Sequence, residues 1–168
     1  MDSFSLACLP AHRSTRGPER GNGVADCGAV SVPPRLSRVL ETVLYYESAQ
    51  EQTMEEFYGG LLGLPRVGKG LHFRIGDSLL LLFAAEESSR QASPPPHGAQ
   101  GAIHTCFVAP EPDYETWKTY LAGRGLALLD EIAWENGVRS FYFRDPAGNV
   151  LEIADGDMWP RLPARRTS

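Results

Sequence analysis

The feature that most limits what this chain can fold into is an internal repeat. "RVLETVLYY" (residues 38–46) has the β-branched and aromatic character of a strand. "SAQEQTMEEFYGGLLGLP" (residues 48–65) follows as a helix. Ser48 with Glu51 reads as its capping box, and Met54, Phe57, Tyr58 and Leu61 fall at helical spacing. Gly59, Gly60 and Pro65 close it, and "LHFRI" and "LLLLF" read as strands. The order then recurs: strand "IHTCFVA", helix "DYETWKTYLAGRG" with Tyr114, Trp117 and Leu121 on one face, and strands from "LALLDEIAW", "SFYFR" and "VLEI". Each half reads β-α-β-β-β. Glu41-Thr42 corresponds to His104-Thr105, and the spacing that carries Phe73-Arg74 onto Phe143-Arg144 also carries Leu81 onto Leu151 and Ala84 onto Ala154. One such unit cannot bury its sheet alone, so the two are expected to pack together as an α+β domain.

The repeat sets the domain boundaries. Residues 36–86 form module one, 87–101 a Pro-rich linker, and 102–157 module two of a domain spanning 36–160. Residues 1–35 lack apolar periodicity and are expected to be a mobile tail or an over-extended translation start, and residues 161–168 a C-terminal tail. A chain of 168 residues with 42% hydrophobic content is enough for one well-cored domain. A net charge of −5 with no basic stripe argues against nucleic acid as a partner. The longest apolar run, Leu79 to Ala85, suits a buried strand and not a membrane span. Cys8, Cys27 and Cys106 form no CxxC pair and are odd in number, so a reducing, cytoplasmic setting is expected.

Within this pattern Glu152 is out of place: an ionisable residue between Leu151 and Ile153. Burying an unpaired carboxylate costs several kcal/mol, so the position calls for a partner. Glu41 and His104 open the first strands of their modules. Carboxylate, imidazole and carboxylate suit one divalent metal such as Mn, Fe, Ni, Co or Zn, with open positions for substrate. Taken singly, His104 also reads as a surface histidine and Glu41 as a solvent-facing one. The repeat places Leu82 opposite Glu152, or Leu81 if one gap is allowed, so three protein ligands are expected rather than four. Strand alternation puts Cys106 beside His104 and Tyr45 beside Glu41. Cys106 reads as a soft neighbour of the metal or a small apolar filler, and Tyr45 and Tyr142 as hydrogen-bond donors to substrate or as cavity wall. His97 reads as a solvated loop histidine, and Arg144-Asp145 as a local ion pair.

"ETVLYYESAQEQTMEEFYGGLLGL", "HTCFVA" and "SFYFRDPAGNVLEIA" resemble the vicinal oxygen chelate superfamily, which includes glyoxalase I, bleomycin-resistance proteins, extradiol dioxygenases and fosfomycin thiol transferases. The resemblance runs from about Leu36 to Trp159. It implies paired β-α-β-β-β modules forming a curved mixed sheet around a metal cavity, with Glu41, His104 and Glu152 as ligands. Glu152 and Glu41 would serve as proton-moving carboxylates. It also implies a homodimer with the site near or across the interface. The thiol-transferase branch implies that Tyr142 and Arg161 contact substrate, and Tyr45 and Cys106 join them on the cavity wall. The expected activity is metal-dependent lyase, isomerase or thiol-transferase chemistry on a small oxygen-chelating molecule, with a thiol co-substrate. The alternatives are an Fe(II) ring-cleaving dioxygenase and a non-catalytic drug-binding protein of the bleomycin-resistance type.

Overall fold

Strand β1 (Glu41–Tyr46) shows the alternation that decides its faces: Leu44 and Tyr46 are buried, while Val43 and Tyr45 are half-buried and Glu41 is exposed. The computed structural model describes residues 36–159. The expected tails and the candidate Arg161 lie outside the described residues.

After β1 the chain enters a single 3-10 turn (Ser48–Gln50), helix α1 (Glu51–Glu55) and a π-helical continuation (Glu56–Leu61). The capping box is built one residue earlier than the sequence suggests. Glu47 N–H donates to Gln50 Oε1 at 2.9 Å, and the Glu47 side chain accepts from the Gln50 backbone. The 3-10 turn shifts the entry, and Ser48 Oγ turns instead to Glu86 Oε2 at 3.3 Å. Met54, Phe57 and Tyr58 are buried as the helical spacing requires.

Strands β2 (Leu71–Ile75) and β3 (Ser78–Ala84) complete the first sheet, in the order β1-β3-β2. β1 runs parallel to β3, and β2 antiparallel to it. The second sheet has four strands: β4 (His104–Val108), β5 (Asp130–Ala133), β6 (Arg139–Arg144) and β7 (Val150–Ala154), in the order β4-β7-β6-β5. The first module's remaining strand shrinks to an isolated bridge between Arg66 and Phe73. Short helix α2 (Ala85–Ser88) leads into the linker, and α3 (Asp113–Gly123) covers the second sheet with Tyr114 and Leu121 fully buried.

Register corrects the repeat by one residue. His72 pairs with Leu81, which pairs with Val43. In the second sheet Tyr142 pairs with Glu152, which pairs with Cys106. Leu81, the one-gap alternative, is therefore the counterpart of Glu152. The extra residue sits in the β6–β7 turn, where Gly148 adopts φ 86°, a conformation that excludes ordinary side chains.

The apolar face of each sheet meets its helix in one shared core that includes Leu44, Phe73, Leu80, Phe141, Phe143 and Leu151. A polar tie crosses between the modules. Tyr58 Oη donates to Asp145 Oδ2 at 2.8 Å in the buried interior. Asp145 is thus committed inward, and Arg144 Nη1 donates to the Gly148 carbonyl at 2.7 Å rather than forming the expected local ion pair. On the outer side, Arg139 clamps α3 to the sheet. It donates to Asp155 Oδ2 at 2.9 Å, to Glu115 Oε1 at 2.7 Å and to Glu111, with its guanidinium 4.7 Å from the Tyr114 ring centre.

Candidate active site

Glu152 lies on the face of the second sheet opposite α3, because Leu151 and Ile153 take the apolar face on either side of it. It is nonetheless 2% exposed. Its Oε2 is 3.2 Å from His104 Nε2, and its Oε1 is buried without a hydrogen-bond partner. His104 Nδ1 lies 3.1 Å from the Val150 carbonyl oxygen. A carbonyl oxygen only accepts, so Nδ1 carries a proton. In the neutral ring, Nε2 then turns a lone pair toward a carboxylate oxygen. At 3.2 Å the two lone pairs need something between them, either one proton shared by the carboxyl and the imidazole or a cation that both side chains bind.

Two further expected residues join them. The Tyr142 ring stacks on the imidazole, with centres 6.0 Å apart and planes 28° apart. Burial, chiefly, and the neighbouring Glu152 raise its phenol above the ordinary value, with Ser140 opposing. Cys106 sits across from Glu152 on β4, and burial followed by the Glu152 charge pushes its thiol up to about 12. Trp134 Nε1 donates to Ser140 Oγ at 2.9 Å, which adds an indole to the same face.

The structure does not bring Glu41 into this group. It is exposed at the start of β1, on the other sheet, and the described residues of one chain gather no set of three His, Cys, Asp or Glu side chains able to hold a metal. Tyr45 also lies on the first sheet, where its hydroxyl is 2.8 Å from His97 Nδ1. His97 is not a solvated loop histidine. The linker folds it onto Tyr45 and edge-on to Phe83, with ring centres 5.0 Å apart. Linker composition concealed this docking, because the aromatic pair that receives His97 lies on strands far away in sequence. The hydrogen bond from His104 to Val150 was equally invisible, since it depends on strand register.

The chain matches no family model. Glutathione transferase FosA of Serratia marcescens is 32% identical over 113 residues, covering 66% of this chain and 76% of that protein. The chain belongs to the vicinal oxygen chelate superfamily. Among solved structures, lactoylglutathione lyase from Agrobacterium tumefaciens matches this superfamily member with a TM-score of 0.69 and 37% identity, over 76% of this chain and 98% of its own. A glyoxalase/dioxygenase from Nostoc punctiforme shares the fold at a TM-score of 0.54 and 24% identity, over 74% and 97% of the two chains. Among the described residues no helix is long and apolar enough to cross a membrane.

Proposed function

We propose that this superfamily member is a divalent-metal-dependent enzyme that joins a thiol co-substrate to a small oxygen-chelating molecule, or rearranges such an adduct. The observation that carries the reading is the buried Glu152 carboxylate, with one oxygen unpartnered and the other 3.2 Å from an imidazole nitrogen. His104 Nε2 and Glu152 fit as metal ligands. The hydrogen bond from Nδ1 to Val150 supplies the outer support that metal-bound histidines usually have. When bound, the ion supplies a Lewis acid that stabilises negative charge on a substrate oxygen.

The chain's own residues divide the remaining work. The Tyr142 phenol, held protonated by burial and by Glu152, donates a hydrogen bond to a substrate oxygen beside His104. The Glu152 carboxylate, buried beside the Cys106 thiol and the Tyr142 phenol, would accept a substrate proton. Cys106 stays a neutral thiol and forms part of the wall, so the reacting thiol comes from the co-substrate. Two relatives carry glutathione or its adduct in their names, a glutathione transferase and a lactoylglutathione lyase, which supports that co-substrate class.

Glu41 completes the site from a second copy. Its place on the other sheet excludes it from its own chain's pair, while Val108 and Trp134, 54% and 38% exposed beside the site, leave an apolar rim for a partner to cover. The test mixes Glu41→Ala chains with His104→Ala chains and measures bound metal by mass spectrometry. Each variant alone is expected to lose most of its metal. The mixed sample is expected to recover part of it, because one of the two sites in a mixed dimer is intact. Recovery of nothing would overturn the shared site. Failure of the wild type to bind Mn, Fe, Ni, Co or Zn would overturn the metal-dependent reading.

A further inference from the structure

The turn between β6 and β7 ends on Asn149, which is 1% exposed and hydrogen-bonds three residues from separate places in the chain. Its Oδ1 accepts from the Ile103 N–H at 3.1 Å. Its Nδ2 donates to the Tyr45 carbonyl at 3.1 Å and to Asp145 Oδ2 at 2.8 Å. Its backbone N–H donates to Asp145 Oδ1 at 2.8 Å. Only one orientation of the amide makes these bonds, since a carbonyl and a carboxylate accept while a backbone N–H donates.

These partners are neighbours of the candidate ligands. Ile103 precedes His104, and its carbonyl accepts from Val150 N–H at 2.8 Å, directly after Asn149. Val150 in turn holds His104 Nδ1 and lies two residues before Glu152. Tyr45 belongs to β1, the strand that carries Glu41. One buried side chain therefore joins β1, β4 and β7, the strands carrying Glu41, His104 and Glu152.

We propose that Asn149 is a positioning residue for the metal site: it sets the register at which His104 enters beside β7 and ties that register to β1. This rests on the metal-dependent reading above. Asp145, held in turn by Tyr58 from the first module, fixes the amide's orientation. Asn149 touches neither metal nor substrate. It acts through the spacing of His104 Nε2 and Glu152 Oε2, which a rotation of a few degrees at the start of β4 would change.

Cobalt(II) reports both affinity and ligand geometry through its visible absorption, without requiring a known substrate. The wild type, Asn149→Ala and Asn149→Ser are titrated with cobalt(II) well below their unfolding midpoints. Leu121→Val, in the core under α3, serves as a comparison for general loss of stability. Asn149→Ser keeps a small hydroxyl and sets no second carboxylate beside Asp145 Oδ2 while losing the amide donor to Tyr45, so it carries the test if the alanine variant does not fold. Both Asn149 variants are expected to weaken cobalt by about 10–100-fold and to change the spectrum of the saturated protein, while Leu121→Val changes neither. If the folded Asn149 variants bind cobalt as the wild type does and with the same spectrum, Asn149 is only structural and the proposal falls. A wild type that takes up no cobalt overturns the metal reading beneath it, so the two failures are distinct.

Discussion

Leu81 in the first sheet stands where Glu152 stands in the second, each flanked in register by the first strand of its module on one side and by its hairpin partner on the other. The row is Val43, Leu81 and His72 in one module and Cys106, Glu152 and Tyr142 in the other. Leu81 is 7% exposed and Glu152 2%, so the two positions are equally dry and differ in chemistry alone.

That difference predicts a trade of stability for function. Removing the Glu152 carboxylate, whose Oε1 is buried and unpaired, should make the metal-free protein more stable. Glu152→Leu is expected to raise stability in chelator by about 1–3 kcal/mol and to abolish metal uptake. Thermal unfolding in chelator, with metal analysis beside it, checks both. A variant less stable than wild type in chelator would show that Glu152 is fully compensated within the fold.

Cys106 should resist alkylation. With its thiol pushed up to about 12, thiolate at about pH 8 is on the order of one part in ten thousand. Since its folded value is raised, its contribution to stability is present below the ordinary thiol range and fades as pH climbs toward that value. Burial is the larger cause, so Glu152→Gln is expected to speed iodoacetamide labelling without making the thiol fully reactive. Equal labelling rates in the two proteins would remove Glu152 as a cause.

Tyr58→Phe deletes a buried hydroxyl and leaves Asp145 Oδ2 with one donor fewer. The expected cost is about 1–3 kcal/mol in urea denaturation. Burial and Asp145 raise the Tyr58 phenol above the ordinary range. Its contribution is therefore complete below about pH 10 and declines above it, and the Phe variant should lose less stability there than the wild type.

Arg139→Met should lower the unfolding midpoint, because α3 loses its clamp to Asp155 while Glu111 loses its cation and Glu115 keeps Lys118, at 3.9 Å. These groups are partly exposed, so the loss should shrink at about 1 M salt, where the screening length falls to ~3 Å. A salt-independent loss would assign the effect to packing on Tyr114 instead.

Much of the fold was legible because local chemistry and periodicity repeat. The alternation of β1 and the spacing of Met54, Phe57 and Tyr58 follow from residues close in sequence, and Glu152 stood out because its neighbours were apolar. The first module's missing strand and the shifted capping box were not legible, since each turns on a difference of one or two residues in a turn or cap.

The order of elements, the duplication and the identity of the chemically active side chains all belong to the linear chain, because backbone propensity and side-chain alternation act over a few residues. The partnerships of those side chains belong to the folded molecule. His104 meets Glu152, His97 meets Tyr45, and Asn149 reaches three strands only after strand register and module packing are set. Those depend on long-range contacts that a run of neighbouring residues does not encode. Glu41's separation from the pair it resembles a partner for is the plainest case, since sheet membership alone decides it.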